Sequence, residues 1–237
     1  MMNTAKKCRA KCKNYDFTIY EVLPDGDTNG EILFLHGAGE ADGQRMLPLS
    51  YKLANRGYRC VSFDFLGHGD STCLLSATTL SDRRDQARIV RNGMFGERKI
   101  GVIAFSMAGH TAVEMSATDV NIDKMVLCAP ALYSRKAQEA CFGDPFSAAI
   151  RETYGWKDSH ILDILKQSKV ERLVLVGEND NVIPKEIEHE YSKKCRDNPA
   201  VFKVTFADQD HLLSGRTTTD DEFANEVAQT IDQFLSF

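Results

Sequence analysis

The chain has 237 residues, 43% of them hydrophobic, and a formal net charge of -5 at pH 7. That length and apolar content suffice for one large core, and the acidic balance argues against a nucleic-acid partner, which a basic surface would announce. No apolar run approaches the ~18 residues of a membrane-spanning helix, and the first residues lack the apolar stretch of a secretory signal, so a soluble, cytoplasmic protein is expected.

Residues 1–14 read as a tail ahead of a single domain over 15–237. Within the tail, AKKCRAKCK (Ala5–Lys13) is expected as solvated chain, a basic S-acylated membrane-surface signal being the other reading. FTIYEVL from Phe17 predicts an antiparallel leading strand. GEILFLHG from Gly30, YRCVSFDF from Tyr58, KIGVIAFS from Lys99, KMVLCAPAL from Lys124, RLVLVGEN from Arg172 and AVFKVTFA from Ala200 predict further strands. Several are continuous apolar runs, the pattern of parallel strands covered on both faces. Helices are expected between them at Leu47–Asn55, Leu80–Met94, Met107–Ala117, Ser159–Ser168, Lys185–Arg196 and Asp220–Phe237. The last carries Phe223, Val227, Ile231 and Phe234 at helical spacing. Alternation of this kind specifies an α/β fold, a doubly wound, mostly parallel sheet flanked by helices. Residues 132–169 break the alternation with five aromatics among charges and turns. They read as a short cap over the carboxyl edge of the sheet, where such folds bind ligands, or as an ordinary crossover carrying two helices.

The chemistry centres on Ser106. It stands where the strand Ile100–Phe105 stops and a helix begins, the position of a nucleophile elbow, although Ala104 and Ala108 replace the usual glycines and Gly109 comes one place later. A nucleophilic serine needs a base, a group to orient the base, and donors for the oxyanion. Asp180 follows a core strand and opens a turn closed by Pro184; Glu178, still within the strand run, is the weaker alternative. Of the six histidines, His36 and His68 sit in glycine-rich loops and are expected to bond local backbone. His110 lies inside the helix after the elbow, and His160 and His189 read as solvated. His211, after the last strand, remains as the base. HGAGE (His36–Glu40) follows a buried strand, and its glycines would let the Ala38 amide join that of Met107 as an oxyanion hole. Phe105, Trp156 and Leu212 are expected to line the substrate pocket. The seven cysteines lack C-x-x-C spacing; Cys60 and Cys128, inside apolar runs, are expected as small core residues. No metal or cofactor is implied.

HGAGE, DFLGHGDS (Asp64–Ser71) and AFSMAG (Ala104–Gly109), with Asp180 in ENDNVIP and His211 in QDHLL, give the chain a resemblance to the α/β-hydrolase superfamily. It is most similar to the branch of monoacylglycerol lipases, serine-aminopeptidase-like hydrolases and small carboxylesterases. The resemblance spans Gly30 to the C-terminal helix and implies an α/β-hydrolase fold in which Asp64, His68 and Ser71 are structural. The chain departs from the family at the elbow alanines, in Phe105 where histidine is common, and in its shorter cap. The expected function is a serine hydrolase of small or medium acyl or aryl esters, working through an acyl-enzyme. An acyl thioesterase, or a binding protein that kept the fold and lost catalysis, are the alternatives.

Overall fold

Within each apolar run the side chains alternate between two cores, because successive strand residues point to opposite faces. Leu33, Val102, Leu127 and Val174 enter one cluster; Phe34, Ile103, Val126 and Leu175 enter the other. The computed structural model describes residues 4–12, 15–71, 73–194 and 200–236. In chain order the regular elements are β1 (Lys6–Cys12), β2 (Tyr15–Val22), β3 (Gly30–Leu35), α1 (Leu47–Ala54), β4 (Tyr58–Phe63) and α2 (Leu80–Phe95). There follow β5 (Ile100–Phe105), α3 (Met107–Ser116), β6 (Ile122–Cys128), α4 (Arg135–Glu139), α5 (Asp144–Ile150) and α6 (Ile161–Gln167). The chain finishes with β7 (Glu171–Gly177), α7 (Lys185–Ser192), β8 (Val201–Phe206), α8 (Leu213–Thr219) and α9 (Asp221–Leu235).

The strands form one eight-stranded sheet in the order β1-β2-β4-β3-β5-β6-β7-β8. β1 and β2 pair antiparallel, β2 pairs antiparallel with β4, and every later pairing is parallel. Ala87 and Val90 of α2, Ala112 of α3, Leu165 of α6 and Tyr191 of α7 fill the core on one face. Leu53 of α1, Leu213 of α8 and Val227 of α9 fill the other. This is the expected doubly wound, mostly parallel sheet. α9 buries Phe223, Val227, Ile231 and Phe234 at the predicted spacing, and Cys60 and Cys128 are buried as expected.

Residues 6–12 depart from the expected solvated tail. They add an antiparallel edge strand in which Lys6 faces Glu21 and Cys12 faces Tyr15. Cys8 and Ala10 pack against the core, while the exposed Lys6, Lys7 and Arg9 keep the sheet edge charged, a common guard against edge-to-edge pairing. The helix expected to reach Arg196 ends at Ser192, and Arg196 lies outside the described residues. The region 132–169 holds three short helices, α4, α5 and α6, the last within the expected Ser159–Ser168. Among the described residues no helix is long and apolar enough to cross a membrane.

Candidate active site

β5 ends at Phe105 and α3 starts at Met107, so Ser106 alone turns the chain. It does so at φ 49°, ψ -115°, a conformation costing a non-glycine residue about 1–3 kcal/mol. Backbone bonds hold the strain in place. Ser106 N–H donates to Cys128 O at 2.8 Å, and Ser106 O accepts from the amides of Gly109 (2.9 Å) and Ala131 (3.0 Å). The turn forms despite its alanines because the tight spot is Gly109: a Cβ there would lie 2.5 Å from Pro130 Cβ. Ala104 and Ala108 are wholly buried in ordinary core packing.

Asp180 and His211 come from the loops after β7 and β8. Asp180 Oδ1 accepts the amides of Val182 (2.8 Å) and Ile183 (3.0 Å), which fixes the carboxylate in its turn. Asp180 Oδ2 lies 2.9 Å from His211 Nδ1, and His211 Nε2 lies 2.9 Å from Ser106 Oγ. A carboxylate only accepts, so Nδ1 carries the ring proton and Nε2 accepts from the serine hydroxyl. Glu178 is turned away: it is exposed and accepts the Asp208 amide. One positioning residue gave no signal beyond ending an apolar run. A Cβ on Gly177 would lie 2.3 Å from Gln209 O and 2.4 Å from Asp210 O, so only glycine lets the His211 loop cross the end of β7.

Ala38 lies in the loop after β3, where Gly37 touches the elbow; a Cβ on Gly37 would meet Phe105 O at 3.3 Å and Ser106 Cβ at 3.4 Å. Among the described residues the amides of Ala38 and Met107 have no backbone acceptor; for Met107 this follows from its place in the first turn of α3. Three buried side chains brace the loop from behind. His36 Nδ1 donates to Gly37 O (2.8 Å) and its Nε2 accepts the Phe65 amide (3.1 Å). Arg83, 1% exposed, donates from NH2 to His36 O (2.7 Å) and Gly37 O (3.1 Å) and from NH1 to His68 Nε2 (3.3 Å). Its guanidinium stacks 3.9 Å from the Phe65 ring centroid, and burial lowers its pKa to about 9. Burial, then the Arg83 charge, lower His36 well below its ordinary value and His68 to about 4, so both rings are neutral. Asp64 accepts the amides of Gly43 (2.9 Å) and Asp70 (3.3 Å), and Ser71 Oγ accepts that of Gly67 (3.1 Å). Asp64, His68 and Ser71 thus engage the protein's own loops.

Ser106 opens into a cavity of about 440 Å³ lined also by Ala38, Phe105, Met107, His211 and Leu212. Phe142 and Phe146 of the 132–169 region also line it; they pack on Leu80 and Met107, and the Phe142 amide donates to Thr78 O. Trp156, expected here, lines a neighbouring groove of about 260 Å³ instead, because the chain turns away after α5 and packs the indole toward the core beside α6.

His160 is not solvated as expected. With His110 and Glu114 it brings three candidate ligand atoms within 4.8 Å of one another. The Tyr133 amide donates to His110 Nδ1 (3.3 Å), so Nε2 carries the proton and faces Gln138 Oε1 (3.3 Å). Glu114 Oε1 accepts from Arg84, Gln138 and His160. Burial opposes ionisation of Glu114, but these partners outweigh it and hold its pKa at about 2. The donor pattern is that of a hydrogen-bond network: a metal-bound imidazole needs a proton on its far nitrogen, and the far nitrogen of His110 faces an N–H donor. His189 is exposed, as expected.

A family model described as "Alpha/beta hydrolase family" matches residues 32–163. No curated protein matches the chain. Among solved structures, a Butyrivibrio proteoclasticus protein with ferulic acid bound is similar at 17% identity and TM-score 0.71, over 94% of this chain and 98% of that one. A thioesterase domain from the curacin biosynthetic pathway matches at 14% identity and TM-score 0.70, over 99% and 100%. An esterase of Pyrococcus furiosus matches at 20% identity and TM-score 0.69, over 98% and 93%. At these identities the likeness speaks for the fold.

Proposed function

Because the chain belongs to the alpha/beta hydrolase family, and is a hydrolase on that ground, we propose that it cleaves carboxylic esters of small or medium acyl or aryl groups through an acyl-enzyme on Ser106. The observation that carries this reading is the continuous relay from Ser106 Oγ through His211 to Asp180, with both links at 2.9 Å. His211 Nε2 takes the hydroxyl proton as Oγ attacks the ester carbonyl. Asp180 keeps the imidazole in the tautomer that can do so and steadies the imidazolium. The Ala38 and Met107 amides receive the oxyanion, each worth about 3 kcal/mol to the transition state. The tetrahedral intermediate collapses as His211 returns the proton to the leaving alcohol. Water, deprotonated by His211, then releases the acid and regenerates Ser106. The apolar rim supports an acyl or aryl substrate: Ile150, Val182 and Leu212 are 48%, 63% and 58% exposed, and all border the same cavity.

The test is turnover of p-nitrophenyl acetate and butyrate, with labelling by a fluorophosphonate probe. Wild type should do both, and Ser106→Ala neither. A folded wild type that resists the probe, or undiminished turnover by Ser106→Ala, overturns the assignment. An acyl-CoA arm run beside the aryl esters separates ester from thioester preference.

A further inference from the structure

The cavity at Ser106 is mostly apolar, yet one fixed positive charge stands in its wall. Arg45, on the short 3-10 turn Gln44–Met46, lines the cavity and is half-buried. No carboxylate lines the cavity with it; the other ionisable side chains in the wall are those of His211, Tyr133 and Cys128. The backbone amide of Arg45 is bonded to Asp42 Oδ1 at 2.8 Å, which fixes the turn. Its guanidinium has neither a hydrogen-bond acceptor nor an ion-pair partner among the described residues, whereas Arg59, Arg83, Arg84, Arg91 and Arg172 are all engaged.

A second unpartnered polar group lies close by. Ser214, near the start of α8, lines the same cavity, and its hydroxyl likewise has no protein partner among the described residues. α8 packs against the turn that carries Arg45, so a forked donor and a hydroxyl share one side of the cavity, beside His211. Phe142 and Phe146 line the cavity as well. A partly desolvated guanidinium facing an apolar cavity pays desolvation without recovering it from a protein acceptor. It matches a planar carboxylate or a phosphate, which it binds in two parallel N–H···O bonds. The chain as a whole carries a net charge of -5, so the positive wall is a local feature set against the overall field.

We infer that Arg45, with Ser214, forms an anion subsite, and that the substrate is an ester bearing a carboxylate or phosphate on one arm and an apolar group on the other. The inference rests on the reading that the cavity at Ser106 receives the substrate, and it predicts discrimination by charge rather than by chain length alone.

Matched pairs of esters test it. The mono-p-nitrophenyl ester of glutaric acid against its methyl ester places a carboxylate on the acyl side. 1-Butyrylglycerol 3-phosphate against 1-butyrylglycerol places a phosphate on the leaving group. In at least one pair the anionic member should show a kcat/KM at least tenfold above its neutral twin. In Arg45→Gln that ratio should fall to near one, and in Arg45→Glu it should invert. Calorimetric titration of the same pairs into Ser106→Ala reads binding without turnover: the anionic twin should bind at least tenfold tighter, and adding Arg45→Gln should remove the difference. Ratios that stay within twofold between wild type and Arg45→Gln in both pairs, or a preference for the neutral twins, overturn the inference. If wild type turns over no ester while the Ser106→Ala protein keeps its anion preference, the ester-hydrolase reading fails and the subsite stands.

Discussion

Arg83→Met is the perturbation that best separates the oxyanion loop from the rest of the proposed machinery. Arg83 lies behind the loop and has no access to substrate, since it is 1% exposed. What it holds is the Gly37 carbonyl, at 3.1 Å, together with His36 O at 2.7 Å. In a trans peptide the C=O of one residue and the N–H of the next point in opposite directions. Fixing Gly37 O away from the cavity therefore aims Ala38 N–H into it. Methionine fills much of the space and keeps the stack on Phe65, but it offers no donor.

Complete loss of one oxyanion donor costs about 2.7–4 kcal/mol, or 10²–10³ in kcat. Arg83→Met should fall short of that ceiling, because His36 Nδ1 still holds Gly37 O at 2.8 Å. One of two braces gone corresponds to a loss of roughly 10- to 100-fold in kcat, about 1.4–2.7 kcal/mol. KM should change little, since the donor acts on charge that develops only in the transition state. Arg83→Lys keeps a donor without the fork and should recover part of the loss. The assay is steady-state p-nitrophenyl butyrate hydrolysis, with circular dichroism and thermal melting to verify folding. A folded Arg83→Met enzyme with kcat within twofold of wild type would refute the bracing argument.

Gly177→Ala should lower kcat at least tenfold and destabilise the fold by about 1–3 kcal/mol, because the new methyl meets two backbone oxygens at 2.3 and 2.4 Å and pushes the His211 loop aside; normal kinetics and melting would show that the loop has slack. Ala108→Gly, which restores the common motif glycine, should cost about 1 kcal/mol through helix propensity without raising kcat, whereas Gly109→Ala, aimed at Pro130, should impair both; parallel melting and kinetics compare them. His68 and His110 each have a folded pKa of about 4, lowered by burial from 6.5. The unfolded chain therefore binds more protons between those values, so their stabilisation is complete above pH 6.5 and is lost as pH falls toward 4. The loss reaches about 3 kcal/mol for His110 and less for the more solvent-screened His68; urea unfolding at pH 7.5 and 5 should show the decline, and His110→Gln should shallow it.

The parallel core was legible because the central strands β3, β5, β6 and β7 are buried on both faces, which leaves uninterrupted apolar runs such as Ile32–Leu35 and Val174–Val176. Bounds were less legible where side chains decide them through space. β1 was missed because a run of lysines and arginine carries no apolar signal; its backbone bonds to β2, the packing of Cys8 and Ala10 and the ion pair of Lys7 with Asp70 hold it through space. α4 and α5 could not be given bounds because five and seven residues are too few to show a helical period. Trp156 was misplaced for a related reason: its composition said that an aromatic caps something, and only the path of the chain after α5 says what.

The proposed catalytic residues were more legible than their support. Ser106, Asp180 and His211 each follow the end of a strand, so the rule that ligands gather at the carboxyl edge of such a sheet selects them from order along the chain. Gly109, Gly177 and Arg83 follow no such rule. Each matters through a contact with a residue distant in sequence: Pro130 for the first, Gln209 and Asp210 for the second, the His36–Gly37 peptide for the third. The elbow shows the consequence. Read as a spacing, Ala108 is a defect; read as packing, the turn requires a missing side chain only where α3 meets the loop after β6, and the chain places its glycine there. A motif written in sequence positions records where most relatives happen to be tight, while the physical requirement is a close approach that can move by one residue when the neighbouring loop moves with it.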